Sequence, residues 1–347
     1  MPLPGQGAVP TGALYNELTA VTRRAFVPRL FVQIYFATPT LFYLLGGAQK
    51  AAGGLSQVTI PAQMNSMVQG QHTGYGGGFN APIVTPGIQN AQFPLVYWVV
   101  PVPLPFGENV IQATEREISL LKARMNDVWA VTVQTLGSLI FQNNTGDTLL
   151  PDSFVDGFDN GTNVPVYGGI NRNAPGNSAW QGQYYTASAS AGQPGLVGFT
   201  YTTMATQIMR IIKGAASGGE APTFVVMSMG DFATLSATIT GTETVFKDPG
   251  QVYSMSTPIR AAFPNINVAG VPVYADYFCP NGTCFFVNSK YTSMFASEDA
   301  MFDFSGFYSL VPLGQIGQQG VVVTGYNFIT SKPNANAIVT GISSAAF

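Results

Sequence analysis

The sequence contains very little charge. Only 9% of its 347 residues are Asp, Glu, Lys or Arg, whereas an ordinary soluble domain contains about 25%. Hydrophobic residues remain at 46%, so uncharged polar and small residues take the place of the missing charges. A free monomer with such a surface would have little protection against association. The composition therefore predicts a subunit whose surface is covered by neighbouring molecules.

Histidine and clustered basic residues are also scarce, which argues against several classes of function. The net charge is −3, and the one basic cluster, which contains Arg23 and Arg24, is typical of an interface rather than a nucleic-acid contact. The single histidine, His72, has no acidic residue near it in sequence to orient it as a catalytic base. No phosphate-loop or dinucleotide pattern is present. We therefore predict no catalytic residues and no cofactor, and expect that the protein is not an enzyme.

Cysteine occurs only as Cys279 and Cys284, which flank the segment Pro280-Asn281-Gly282-Thr283. Asn-Gly is a strong signal for a hairpin turn, so the two thiols can face each other across it. We expect a reduced pair, and a metal site would need two further ligands. The most apolar run, residues 93–106, is too short and too rich in proline to form a membrane-spanning helix. We therefore predict no metal site and no membrane association.

The first 50 residues predict an extended N-terminal arm that ends in a short helix. Thr38 is expected to be the N-cap of this helix, with Pro39 at its first position and Gly46-Gly47 at its end.

Residues 51–107 contain no Asp, Glu, Lys or Arg at all. The pattern predicts one strand at Gln57–Pro61, a glycine-rich tip at Gly70–Gly78 and a return strand at Phe93–Val100. The alternate prolines that follow favour an edge strand or an extended segment. We predict a projecting two-stranded loop that is covered by a neighbour. Its candidate inter-subunit contacts, which join Arg23 and Arg24, are Tyr75, Phe79, Phe93, Tyr97 and Trp98.

A long amphipathic helix is predicted from Asn109 to about Phe141. Asn109 and Gln112 can form its capping box, and a helix of about 30 residues would be roughly 45–50 Å long. Its apolar positions recur at intervals typical of one helical face: Ile111, Ile118, Leu121, Met125, Val128, Val131, Leu136 and Leu139.

The remainder of the chain predicts an α+β arrangement. Residues 143–198 are loop-rich, and a helix over Thr200–Lys213 follows them. Asp231 is expected to cap another helix. Strands are predicted at Thr223–Met227, Val268–Tyr274, Phe285–Val287, Tyr291–Phe295 and Val321–Ile329.

Two local segments, together with this order of elements, resemble a known family. Tyr167-Gly168-Gly169-Ile170-Asn171-Arg172, followed by Trp180, is similar to the Gly-Gly-Ile-Asp-Arg…Trp segment of many tailed-phage major capsid proteins. The run from Val268 to Asn288 is similar to a strand–turn–strand of the same proteins. The chain therefore resembles the Hong Kong 97-type capsid family, which also includes encapsulins. Asn171 replaces the family's Asp, so we expect any ion pair with Arg172 to be lost.

The resemblance implies a division of the chain and a function. It implies an N-terminal arm at 1–50, an E-loop at 51–107, a P domain at 108–199 with a spine helix at 108–142, an A domain at 200–295 and a return to the P domain at 296–347. The function that the resemblance implies is that of a major capsid protein. It would form hexamers and pentamers of an icosahedral or prolate shell around packaged double-stranded DNA, without sequence-specific contact.

The resemblance also implies partners and a location. The partners would be other copies of the chain, together with scaffolding, portal and decoration proteins. The protein would assemble in the host cytoplasm and would be located in the virion. An encapsulin-type bacterial compartment is the first alternative. An outer-membrane β-barrel is an alternative of another class. The content of glycine, asparagine and aromatic residues would suit a barrel, but the long amphipathic helix argues against it.

Overall fold

The computed structural model describes residues 38–52, 56–64, 75, 87–105, 114–187, 204–215, 220–240, 265–310 and 317–342. The chain divides into two compact units. Unit 1 contains Met1–Ser56, Leu95–Leu139 and Met294–Asn327, and unit 2 contains Gln57–Pro94, Ile140–Ser293 and Phe328–Phe347.

The described residues contain both α-helices and β-strands, as the predicted α+β class requires. The helices are α1 (Pro39–Gly46), α2 (Thr114–Leu139), α3 (Phe154–Phe158), α4 (Met204–Gly214) and α5 (Met229–Thr240). The strands are β1 (Gln49–Ala51), β2 (Gln57–Gln63), β3 (Ile88–Pro94), β4 (Val96–Pro105), β5 (Val166–Tyr167), β6 (Ile170–Asn171), β7 (Gln183–Thr186), β8 (Phe224–Ser228), β9 (Asn265–Val268), β10 (Val271–Asp276), β11 (Cys284–Val287), β12 (Thr292–Ser297), β13 (Asp303–Phe304), β14 (Tyr308–Ser309), β15 (Gly317–Thr330) and β16 (Ala337–Thr340). None of these helices, within the described part of the chain, is long and apolar enough to cross a membrane.

The start of α1 confirms the predicted cap. The Thr38 hydroxyl accepts a hydrogen bond from the Leu41 N–H at 3.3 Å, Pro39 occupies the first turn, and Gly47 is the C-cap. Proline suits this position because the first N–H groups of a helix have no partner within it.

Most of unit 1 is built around the long strand β15. This strand pairs antiparallel with β4, with Val323 opposite Val99 and Val321 opposite Pro101. It also pairs with β13 and β14, while β1 and β12 form a parallel pair in the same sheet. Among the described strands β4 pairs with β15 alone, which confirms the edge position predicted from its prolines.

Helix α2 contacts β4 and α1. Its 26 described residues correspond to a length of about 39 Å, and the predicted capping box of Asn109 and Gln112 lies outside the described residues. Met125, Val128, Leu136 and Leu139 are buried as predicted. The prediction for Val131 was wrong, because Val131 is exposed and Thr132 takes the buried position. The Thr132 hydroxyl is satisfied by the Val128 carbonyl at 2.7 Å.

Unit 2 contains a second six-stranded sheet in the order β7-β16-β11-β8-β10-β9. Helices α4 and α5 contact its strands, and the shared core includes Ile208, Val225, Leu235, Val273 and Phe286.

One sequence prediction for this second sheet was wrong, and one of its strands was not predicted. The predicted strand Val268–Tyr274 is two strands, because Ala269 and Gly270 adopt φ values of +52° and +83° and form a tight turn between β9 and β10. Strand β16 was not predicted at all, although it pairs with both β11 and β7.

The start of α5 corrects another detail. Ser228 is the residue that caps the helix, since its hydroxyl accepts the Asp231 N–H at 3.1 Å. The Asp231 carboxylate accepts the Ser228 hydroxyl and the Gly282 N–H, each at 2.8 Å. Asp231 therefore ties the start of α5 to the turn between Cys279 and Cys284 rather than capping the helix itself.

Strands β2 and β3 form a separate two-stranded antiparallel sheet, in which Gln57 faces Pro94 and Gln63 faces Ile88. This sheet confirms a pair of strands in the 51–107 region, but the predicted return strand Phe93–Val100 was wrong. The strand that pairs with β2 ends at Pro94, and the chain from Val96 onward belongs to β4, which pairs with β15 instead. The tip of the loop, apart from Tyr75, lies outside the described residues.

Candidate functional site

The β2–β3 hairpin has one buried and one exposed face. On the buried side Ala62, Ala91 and Phe93 are at most 2% exposed. The exposed side alternates with them, as the two-residue period of a strand requires, and none of its side chains carries a charge. It consists of Gln57, Thr59, Pro61, Gln63, Ile88, Asn90, Gln92 and Pro94.

The base of the hairpin is anchored to the segment that carries the capsid-like motif. The Phe93 ring packs edge-on against the Tyr167 ring, with 5.0 Å between centroids. The Gln92 N–H donates to the Gly168 carbonyl at 2.9 Å, and the Gln89 side-chain amide donates to Asn177 Oδ1 at 3.2 Å. These contacts all lie within unit 2, and we call them the hairpin anchor.

Both the backbone conformation and the neighbouring side chains require a glycine at position 168. Its φ of +58° is a conformation that residues with a Cβ rarely adopt. A Cβ at this position would also lie 2.7 Å from the Phe93 ring. Gly169 has a φ of +77°, but a Cβ added there would meet no atom within 4 Å, so only Gly168 is needed for the close approach of the hairpin.

Arg172 is fully buried beside the hairpin anchor. Its guanidinium donates to the carbonyls of Gly157 at 2.9 Å, Trp180 at 3.1 Å and Val164 at 3.3 Å. It also lies 4.7 Å from the Tyr167 ring centroid, a cation–π geometry. Burial lowers the pKa of Arg172 from its ordinary value, although an arginine remains charged in proteins. The side chain thus binds three separate segments of backbone to one another.

From the sequence we expected Arg172 to have no ion pair with residue 171, and the structure shows which groups bind Arg172 instead. Asn171 is exposed, and its side-chain oxygen accepts the Asn173 N–H at 2.9 Å. The neighbouring side chains therefore have opposite environments, and Arg172 is satisfied by carbonyl oxygens instead of by residue 171.

Tyr167 and Trp180 complete the packing around Arg172. The Trp180 indole N–H donates to the Tyr167 carbonyl at 3.0 Å, and the Tyr167 hydroxyl accepts the Thr330 N–H at 2.9 Å. Burial raises the pKa of Tyr167 well above its ordinary value, so the hydroxyl stays neutral. Tyr167, Arg172 and Trp180 of the motif therefore form one packed cluster.

Two buried aspartates near this cluster have structural partners. Both oxygens of Asp159 are used by N–H groups, namely those of Gly161, Asn163 and Val164 and the Asn163 side-chain amide, at 2.8–3.1 Å. Asp156 belongs to the capping box of α3 with Ser153. Asp156 also lines a cavity of about 200 Å³ with Asp147 and Asp152. Within the described residues, no group of three His, Cys, Asp or Glu side chains could hold a metal ion.

The predicted contact residues occupy different environments. Arg23, Arg24 and Phe79 lie outside the described residues. Tyr75 is fully exposed. Phe93 is fully buried in the hairpin anchor, which leaves it no surface with which to contact another subunit.

Tyr97 and Trp98 lie on opposite faces of β4. Tyr97 is about half exposed and its ring covers Gly325, where a Cβ would lie 2.7 Å from the ring. Trp98 is partly buried on the other face, and its indole N–H has no hydrogen-bond partner among the described residues.

Cys279 and Cys284 are both buried free thiols. The Cys279 thiol contacts the Thr283 carbonyl at 3.6 Å across the predicted turn, and Gly282 adopts a φ of +73° there. Burial raises the pKa of both thiols, which keeps them protonated and weakly nucleophilic.

A small ionic cluster was not predicted from the sequence, because its members come from three separate segments. Glu220 contacts Lys290 and the Tyr291 hydroxyl, and it lies 3.5 Å from Lys332 Nζ. Both lysines also lie about 5 Å from the Tyr291 ring centroid. Hydrogen bonds from Lys290 and Tyr291 lower the pKa of Glu220 to about 2.

Solved structures of other proteins are similar to this chain over nearly its whole length. No protein-family model matches the chain, and no curated protein matches it. The capsid of cyanophage A-1(L) matches with a TM-score of 0.60 and 14% identity, over 88% of this chain and 93% of that one. The capsid of a native GTA particle matches with a TM-score of 0.52 and 9% identity, over 87% and 90%. The SrpI encapsulin of Synechococcus elongatus PCC 7942 matches with a TM-score of 0.51 and 11% identity, over 88% and 89%.

These similarities, together with the hairpin, the long helix and the mixed sheets, define the fold class. The chain has the Hong Kong 97-like capsid fold that phage capsid proteins and encapsulins share. The predicted fold is therefore confirmed.

Proposed function

We propose that this chain is the major capsid protein of a tailed bacteriophage. The observation that carries the proposal is the agreement of fold with a phage capsid subunit over 88% of the chain. The scarcity of charge supports it, because subunits of a shell cover much of one another's surface. The subunit would form hexamers and pentamers of an icosahedral or prolate shell.

The shell would enclose double-stranded DNA without reading its sequence. The net charge of −3 supports containment rather than tight phosphate binding. Scaffolding, portal and decoration proteins are the further partners of this proposal. Assembly would take place in the host cytoplasm, the final location would be the virion, and the role would be structural rather than enzymatic.

The contacts between subunits would involve the uncharged loop at 51–107 and the N-terminal cluster. Tyr75 and Tyr97 support this assignment because both rings are exposed. Phe79, Arg23 and Arg24 remain candidates from the sequence, and Trp98 remains a candidate at the partly buried side of β4.

Electron microscopy of the purified chain tests the proposal. We expect closed particles of uniform diameter. A subunit that stays monomeric at high concentration, over a range of salt and pH and with scaffolding protein present, would contradict it.

An encapsulin-type compartment is the second candidate, and the similarity to SrpI favours it. Native particles separate the two. After nuclease treatment and opening, a phage capsid releases protected double-stranded DNA, whereas a compartment releases an enclosed protein.

A further inference from the structure

The sequence contains two Asn-Gly pairs, Asn160-Gly161 in the loop after α3 and Asn281-Gly282 in the turn between β10 and β11. Such a pair is chemically labile, because glycine has no Cβ to keep its backbone nitrogen away from the asparagine side chain. The glycine nitrogen forms a bond to asparagine Cγ, the bond from Cγ to Nδ2 breaks, and ammonia leaves with the backbone proton. Water then opens the resulting succinimide ring to aspartate or isoaspartate.

The reaction requires the glycine nitrogen to give up its proton and to move against Cγ. A hydrogen bond from this N–H opposes both changes, since it keeps the proton on the nitrogen and fixes the position of the peptide. A carboxylate is the strongest acceptor for this purpose, because its hydrogen bonds are charge-assisted and its charge repels a negative charge on the nitrogen.

The N–H of Gly282 has such an acceptor. It donates to the Asp231 carboxylate at 2.8 Å, and the Ser228 hydroxyl donates to the same carboxylate oxygen. Asp231 is buried, whereas Asn281 is exposed. The Gly282 carbonyl accepts the Ile342 N–H at 3.0 Å. The glycine is therefore fixed on both sides, although its asparagine is accessible to water.

The same arrangement occurs at Gly161. Its N–H donates to the Asp159 carboxylate at 2.8 Å, and Asp159 is fully buried. The Gly161 carbonyl accepts the Asn173 side-chain amide at 2.9 Å. The Asn160 side-chain oxygen accepts the Thr162 N–H at 3.0 Å, which fixes the asparagine side chain as well.

The two carboxylates reach their glycines by unrelated routes. Asp159 directly precedes Asn160 in the chain, whereas Asp231 is 51 residues from Gly282. A backbone carbonyl would satisfy a glycine N–H without the cost of burying a charge. A buried carboxylate at both Asn-Gly pairs is therefore more than the hydrogen bond alone requires.

We propose that Asn160 and Asn281 are latent deamidation sites, which the Asp159 and Asp231 carboxylates keep unmodified in the folded chain by holding the glycine N–H groups. The two aspartates are positioning residues, because they act on the glycine nitrogens and not on the asparagine side chains. The inference goes beyond the proposed function and does not depend on it, since it concerns the chemistry of a single copy.

The variants Asp231→Asn and Asp159→Asn test the inference, because each removes one charge and nearly preserves the shape of the side chain. The folded variants are incubated at neutral pH and physiological temperature. Peptide mass spectrometry with fragmentation measures conversion at Asn160 and Asn281 separately, and enzymatic methylation measures isoaspartate. Asp147→Asn controls for the loss of one negative charge, since Asp147 is exposed and its carboxylate accepts the Leu149 N–H.

We expect Asp231→Asn to raise the deamidation rate at Asn281 at least about tenfold, because a hydrogen bond to a charged acceptor is considerably stronger than one to a neutral acceptor. The rate at Asn160 should stay at the wild-type value in this variant. Asp159→Asn should have the opposite pattern, and Asp147→Asn should change neither rate. Each variant therefore contains its own unchanged site.

An unchanged rate at the site beside the substituted aspartate would overturn the inference. A lower rate would overturn it too, because the carboxylate would then assist the reaction as a base. Equal acceleration at both sites would show that the substitution loosens the whole unit, which is not the proposed effect, and urea denaturation of the same variants measures such loosening. Because the two sites are separate, failure of one variant to fold leaves the other as a complete test.

Discussion

The surroundings of Arg172 and one face of the sheet formed by β4 and β15 reverse the usual distribution of residues. We call this face the β4–β15 face; it consists of Tyr97, Val99, Pro101, Pro103, Val321 and Val323. Arg172 carries a charge and is fully buried, whereas Val99 and Val323 are apolar and lie on a surface. Three N–H groups of the guanidinium, one on each nitrogen, donate to carbonyls of the same unit. The β4–β15 face has no comparable internal partner among the described residues.

If the chain assembles as proposed, this difference would separate the groups that one copy satisfies alone from the groups that another copy would cover. Polar groups that cannot be left unpaired in an interior are satisfied within the chain. Apolar groups can stay in contact with water at a modest cost until a neighbour covers them. The comparison predicts that changes near Arg172 affect folding, and that changes on the face affect association.

The largest expected effect is that of Arg172→Met. The substitution leaves the carbonyls of Gly157, Val164 and Trp180 buried without their donor, so the free energy of unfolding should fall by about 3–5 kcal/mol. Urea denaturation of the free subunit measures it. The control Lys213→Met, at the exposed end of α4, should change stability by less than about 0.5 kcal/mol. A loss below about 1 kcal/mol for Arg172→Met would show that water replaces the guanidinium.

The next effect is that of Gly168→Ala. A left-handed backbone with a Cβ costs about 1–2 kcal/mol, and the overlap with Phe93 adds a packing cost of about 1–3 kcal/mol. Gly169→Ala is the matched control, because it shares the positive φ and has no neighbour within 4 Å. Thermal or urea unfolding should show the larger loss for Gly168→Ala. Equal losses would mean that the hairpin moves away from the cluster at little cost.

The smallest effect concerns the partly exposed ionic cluster at Glu220, which belongs neither to the interior nor to the β4–β15 face. Its pKa is lowered to about 2 by Lys290 and Tyr291, so the carboxylate stabilises the folded state at pH values above its ordinary pKa. This contribution should disappear as the pH falls from about 4.5 towards 2. The difference in unfolding midpoint between wild type and Glu220→Gln should therefore shrink over this range. A difference that stays constant would contradict the lowered pKa.

Local signals in the sequence predicted local structure well. Thr38 and Pro39 defined the start of α1, because capping and the fixed φ of proline act within one turn. The prolines of β4 indicated an edge strand, since each lacks an N–H wherever the strand is placed. The order of elements and the Tyr167–Trp180 segment then indicated the fold.

Features that depend on distant partners were not predicted. The buried role of Arg172 requires carbonyls from Gly157 and Val164, and no sequence spacing specifies those partners. Strand β16 is stabilised by β7 and β11, which are remote in sequence. The turn at Ala269 was missed because alanine rarely adopts a positive φ. Val131 was assigned to the wrong helical face by a shift of one residue.

The prolines of β4 have a further consequence during synthesis. A protein that accumulates to high concentration before it assembles is exposed to fibre formation, in which free strand edges add to one another without limit. Proline at alternate positions of β4, with Arg124 on the Pro103 carbonyl, prevents such growth along this edge while leaving the side chains of the face accessible. In the proposed shell, contacts between side chains would then lead to closed, symmetric assemblies instead of open-ended filaments.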